Sequence, residues 1–278
     1  MTGVGEDNKQ LSKKARKDLP KKQGWKMFFM IMGMMLWVFA SVVASQLVVG
    51  YLMLWVLGVE TFSKPVTTAV YSALSYVVAM LLVLIVPAKI ASKHSHADGK
   101  HTSTQKRKLI NYRELGLHEW PTWTDIGLAP VGYLVYILLA SGIVALFTAF
   151  PWFNAGEAQN VGFSYYVTGI DRLVAFLTLV VVAPIAEEII FRGWLYGRMR
   201  EELLKKFSNK ASMAISILLV SLLFGIVHLQ WNVGVNVFAL SLVLCALREI
   251  TGTIHAGILL HMLKNGIAFY LLFVMGIG

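Results

Sequence analysis

The stretch LVAFLTLVVVAPIAEEIIFR, Leu173 to Arg192, decides how the chain is read. An uncharged run from Leu173 to Ala186 leads directly into Glu187 and Glu188. Ile189, Ile190 and Phe191 separate the two acids from Arg192. A charged side chain at the centre of a bilayer costs ~2.5–3.5 kcal/mol on insertion scales, so an acid at membrane depth marks a functional site by default. The bland alternative is a pair of carboxylates solvated at the membrane edge.

The surrounding sequence supports membrane depth. Of 278 residues, 57% are hydrophobic and only 14% are charged, against about 25% charged in soluble domains. Uncharged runs cover 27–59, 66–88 and 126–156. Each exceeds the ~20 residues that carry a helix across the hydrocarbon core. The expected fold is all-α, a polytopic transmembrane helical bundle of seven or eight spans. Seven are placed at 27–58, 66–88, 126–150, 171–206, 211–229, 233–248 and 254–276. The first is too long for a signal-peptide core and is read as a retained helix. Pro184 should kink the fourth.

Net charge is +10, and its distribution argues against nucleic acid as the partner. Basic residues gather before the first span, between Lys89 and Arg113, and between Arg192 and Lys210. With Arg248 these hold 22 of the 25 Lys and Arg. This is the positive-inside pattern. It places the N-terminus and the basic segments in the cytoplasm, against anionic lipid headgroups. Cys245 is the only cysteine, so no internal disulfide is available. The chain divides into a basic cytoplasmic tail (1–26), an accessory transmembrane hairpin (27–88), a basic cytoplasmic loop ending in an interfacial segment (89–125) and a transmembrane core (126–278).

Three polar patterns interrupt the apolar runs of that core. In the first, Glu188 and Arg192 are i, i+4 neighbours in the favoured order. Glu187 points ~100° away on the helix, so one carboxylate is neutralised while the other faces elsewhere. The second is Phe224-Gly225-Ile226-Val227-His228, whose histidine is either an interfacial group or a proton carrier near neutral pH. The third is His261-Met262-Leu263-Lys264-Asn265. His261 and Asn265 share a helix face, where they either glue helices together or aim two donors at a developing oxyanion.

Glu-Glu-x-x-x-Arg, Phe-x-x-x-His and His-x-x-x-Asn, in this order on three spans between Glu187 and Asn265, resemble the CPBP family. These are the CAAX-processing and bacteriocin-processing or immunity membrane proteins, also called Abi or type II CAAX intramembrane endopeptidases. Glu114 to Leu117 is similar to the segment that often precedes the family's core. The resemblance implies an intramembrane endopeptidase acting on a hydrophobic or lipidated substrate. It assigns Glu187 as the base that activates water, His228 as the group positioning that water, and His261 with Asn265 as the oxyanion hole. Glu188 and Arg192 become a supporting ion pair. It implies no cofactor; the alternative is zinc held by Glu187, His228 and His261, although the spacing is not that of a zincin. The compact chain resembles bacterial members, so a bacterial cell membrane is the expected location. A non-proteolytic interaction, regulatory or immunity protein on the same fold is the competing reading. A proton-coupled transporter is disfavoured, because no internal repeat of spans is visible.

Overall fold

In the computed structural model, residues 21–62, 64–97, 111–156 and 169–276 are described. Most of the basic tail and part of the basic loop of 89–125 therefore lie outside the described residues. Seven helices are long and apolar enough to cross a membrane, and the described residues contain no strand. In chain order they are α1 (Lys21–Phe62), α2 (Pro65–Ala97), α3 (Trp123–Phe147), α4 (Gly169–Leu204), α5 (Asn209–Ile226), α6 (Trp231–Thr251) and α7 (His255–Val274). The expected seven spans are thus observed, and the protein is an integral membrane protein. Leu36, Leu47, Leu138 and Leu218 point outward and exposed. Such a surface is a liability in water and the ordinary lining of a lipid-facing bundle.

The helices enclose one polar interior. α1 and α2 form a hairpin packed against α4, α5 and α6, with Val38, Val83, Ile190, Leu195 and Phe224 fully buried between them. On the other side, α3, α6 and α7 share a second core containing Ala239, Leu240, Leu244 and Leu260. The start of α3 is set by a capping box: Thr122 accepts from the Asp125 backbone N–H, and the Asp125 carboxylate accepts from Thr122 N–H. The segment before it is fixed as well. Leu115 is buried, and the carbonyl of Gly116 accepts from Ile254 N–H at the head of α7.

Helix α4 is not a uniform α-helix. It passes through a π-helical segment at Leu177–Val182, returns to α at Ala183–Glu187, and becomes π again at Glu188–Tyr196. Such widened turns occur mostly at functional sites. The cause of the first lies in the sequence. In the widened register Ala183 N–H donates to the carbonyl of Thr178. The next donor in that register would be Pro184, facing Leu179, and proline has no N–H. The orphaned Leu179 carbonyl accepts instead from Asn265 Nδ2 of α7, at 2.9 Å. The expected disturbance at Pro184 thus takes the form of a widened turn, and it explains why α7 locks onto α4 at this height.

The α5–α6 hairpin is tight for a steric reason. A Cβ built on Gly225 would lie 2.8 Å from the Gly234 carbonyl oxygen, and one on Gly234 would lie 3.0 Å from that of Gly225. Two glycines let the backbones touch, as small residues do between membrane helices. The connection between them carries Leu229 at φ 55°, a left-handed conformation that a branched side chain adopts only under constraint. Replacing Gly225 with alanine must displace backbone rather than a flexible side chain. We expect Gly225→Ala to destabilise the protein by ~1–3 kcal/mol, read as a lower apparent Tm in detergent. An unchanged Tm would contradict the close crossing.

Candidate active site

The site is built around an ion pair with no access to solvent. Arg192 Nη1 donates to Glu188 Oε1 at 2.8 Å, in the i, i+4 relation read from the sequence, and both side chains are fully buried. Arg192 Nη2 donates to Ser241 Oγ on α6 at 2.7 Å. Its guanidinium also stands 4.3 Å above the ring of Phe224 on α5, a cation–π contact that gains strength when desolvated. One arginine therefore ties α4, α5 and α6 together.

Helix α7 supplies the next layer. His261 Nδ1 lies 3.2 Å from Glu188 Oε1, and His261 Nε2 lies 3.7 Å from Glu187 Oε2. Glu188 already accepts from Arg192 and is an ionised acceptor, so the His261 nitrogen facing it must carry the proton. Gly257, one turn earlier on α7, clears the space: a Cβ there would stand 3.0 Å from Glu188 Oε2.

Glu187 and Glu188 were expected to face apart. Both instead reach the same imidazole, because the helix changes from α to π register between them and α7 packs into the angle. Their environments still differ. Glu188 is 0% exposed and Glu187 14% exposed, so only Glu187 keeps an open edge. Tyr76 Oη donates to Glu187 Oε1 at 2.7 Å. Tyr76 belongs to α2, in the hairpin read as accessory, and was not among the residues singled out from sequence. A buried tyrosine O–H needs an acceptor, but nothing local names which.

His228 lies just past the end of α5, at the α5–α6 turn. Its Nδ1–H donates to the Phe224 carbonyl at 2.7 Å, which turns Nε2 outward. Phe224 stands between the two histidines, 5.0 Å from the His228 ring and 6.0 Å from that of His261. Burial pushes the His228 imidazole below its ordinary pKa, and the negative charge of Glu187 pulls it partly back. His228 thus lies close enough to Glu187 to feel its charge. Asn265 stands one turn beyond His261 and spends one amide N–H on Leu179; the other N–H is left over. Glu187 itself lies midway along the 36-residue α4, with roughly 25 Å of helix on either side.

Residues 169–267, which contain every one of these motif positions, match the family model described as type II CAAX prenyl endopeptidase Rce1-like. This stretch is thus similar to CAAX proteases, in agreement with the order of the three motifs. No curated protein and no solved structure matches the chain. The matched segment runs from the start of α4 into α7, so Tyr76 of α2 falls outside it.

Among the described residues, no three His, Cys, Asp or Glu side chains converge as a metal-binding group. His228 Nδ1 is held by a carbonyl and His261 Nδ1 faces Glu188, so the Nε2 atom of each histidine is the one left to act in the site.

The buried pair makes a sharp energetic prediction. Removing one partner of a buried ion pair costs ~3–5 kcal/mol, whereas removing both is often neutral. Glu188→Gln and Arg192→Met should each lower the apparent Tm strongly, and the double variant should recover much of the loss. Additive losses would contradict the geometry.

Proposed function

We propose that the protein is an intramembrane endopeptidase in which Glu187 activates water against a peptide bond of a hydrophobic or membrane-associated substrate. The observation that carries this reading is the unequal treatment of two adjacent carboxylates. Glu188 is consumed by Arg192 and His261, while Glu187 keeps a solvent-reachable edge and is aimed by Tyr76. Two acids pushed into different environments are the usual basis for separate catalytic roles.

The chemistry follows from the donors and acceptors. Water, accepted by Glu187 and by the outward Nε2 of His228, attacks the carbonyl carbon as its proton passes to Glu187. The tetrahedral oxyanion is met by His261 and by the spare amide N–H of Asn265. His261 offers an N–H on Nε2 in its doubly protonated form, with Nδ1–H still on Glu188. Collapse breaks the C–N bond, and the proton on Glu187 leaves with the amine. Glu188 and Arg192 hold the imidazole in register, and every step uses the chain's own side chains without a metal. The basic helix ends support a cytoplasmic N-terminus.

General acid–base groups contribute about 10²–10⁴ in rate. Purified protein in detergent or vesicles should lose cleavage of a hydrophobic peptide by that factor on Glu187→Gln, and the wild type should keep its activity in a strong chelator. Full activity in Glu187→Gln would remove the catalytic assignment. Full biological complementation by the same variant would favour the interaction or immunity reading.

His228 supplies a pH test. Its neutral form carries the lone pair that accepts from water, and burial lowers its pKa. The neutral form therefore persists below the ordinary histidine value of about 6.5 and is lost only as pH falls further. The acid limb of kcat/KM should have its midpoint below 6.5. A midpoint above that value would contradict this role.

A further inference from the structure

The two adjacent glutamates are held in different ways. Glu188 is fixed by a cation on its own helix, Arg192, at 2.8 Å. Glu187 has no such partner among the described residues: the imidazole of His261 stands 3.7 Å away, beyond hydrogen-bond reach. A glutamate carries its carboxylate on three rotatable bonds, so an unheld one samples several rotamers. Among the described residues, the one hydrogen bond to the Glu187 carboxylate comes from a different helix. Tyr76 Oη of α2 donates to Oε1 at 2.7 Å, a length typical of a charge-assisted O–H···O⁻ bond.

Packing on both sides of Tyr76 sets the height of that donor. Ala69, about two turns earlier on α2, is buried with Ala175 and Val180 of α4. Ala79 and Val83, about one and two turns later, are buried with Ile190 and Leu195 of α4. Small side chains at 69 and 79 let α2 lie close to α4. The tyrosine between them spans the remaining gap to the carboxylate.

The hydrogen bond also makes the two oxygens of Glu187 unequal. Oε1 is covered by the phenol. Oε2 faces His261 Nε2, and no donor among the described residues closes on it. Oε2 is therefore the oxygen left for water. The bland alternative is that Glu187 only satisfies a tyrosine hydroxyl in apolar surroundings. Removing that hydroxyl separates the two.

We propose that Tyr76 is a positioning residue for the reaction. It holds Glu187 by Oε1 so that Oε2 takes the proton from water, and it makes the docked α1–α2 hairpin part of the working site. The water O–H bond breaks, a new O–H bond forms on Oε2, and the Tyr76 proton stays on its own oxygen. The proton step rests on the endopeptidase reading; the hold on the carboxylate does not.

Full-length wild type, Tyr76→Phe, Glu187→Gln and the double variant are compared in detergent. Val83→Ala serves as a variant that loosens the same hairpin away from Glu187. Tyr76→Phe should lower kcat about tenfold or more, because a misplaced base loses its near-attack geometry. KM should stay within about twofold, since the hydroxyl touches Glu187 and not the substrate. Adding Tyr76→Phe to Glu187→Gln should leave the residual rate unchanged, because no base remains to be aimed. Val83→Ala should lower the apparent Tm and keep kcat. Unchanged kcat in Tyr76→Phe, an equal fractional loss in both backgrounds, or a loss no larger than that of Val83→Ala would each overturn the proposal.

A second measurement needs no cleavage. A membrane-soluble carbodiimide modifies accessible carboxyl groups, and its reaction at Glu187 is followed by mass spectrometry. Uncovering Oε1 in Tyr76→Phe should speed modification of Glu187 severalfold, while Glu188, closed in by Arg192, stays unmodified in both proteins. Equal rates would overturn the proposal whatever the cleavage data show. Faster modification in Tyr76→Phe, beside a wild type that cleaves nothing, would reject the endopeptidase reading and its proton step and leave the hold on Glu187 standing.

Discussion

The constraint on which the rest of the structure depends is the neutralisation of Arg192 at the centre of the bundle. A guanidinium with no solvent access needs partners for its charge, and they come from separate elements: Glu188 on the same helix for Nη1, Ser241 on α6 for Nη2 and the face of Phe224 on α5. Meeting that demand brings three helices to one point. The same Glu188 oxygen that accepts from Arg192 also faces His261 of α7. The geometry of the candidate site thus follows from neutralising a buried charge, and the ion pair supplies specificity of arrangement more than net stability.

Around this point the backbone gives way where side chains require it. Gly257 lets α7 approach the Glu188 carboxylate, and Gly225 and Gly234 let α5 and α6 touch so that His228 is held at the turn between them. Pro184 removes a donor from α4, and Asn265 of α7 replaces it at Leu179. Of the two readings that its spacing left open, Asn265 thus fulfils the first: one N–H joins two helices.

The outer helices are less passive than their composition suggests. The α1–α2 hairpin supplies an apolar wall, yet Tyr76 reaches from α2 to Glu187. The site thus extends beyond the segment that carries the family's motifs. Lys264 illustrates the same point within a motif: its neighbours His261 and Asn265 face α4, while its own side chain lines a cavity bounded by α6.

Much was legible in the sequence because it depended on local or periodic properties. Uncharged runs of helical length marked seven spans, the distribution of Lys and Arg suggested an orientation, and the i, i+4 spacing of Glu188 and Arg192 predicted an ion pair that the fold contains. Motif order was sufficient to find the family, since it is a property of the chain alone. What a side chain meets across a helix interface is not written locally. No periodicity could reveal that Tyr76 donates to an acid 111 positions away, that Ser241 completes Arg192, or that both glutamates converge on one histidine. Those pairings were decided by tertiary packing, because a buried polar group takes whichever partner the neighbouring helices bring within hydrogen-bond distance.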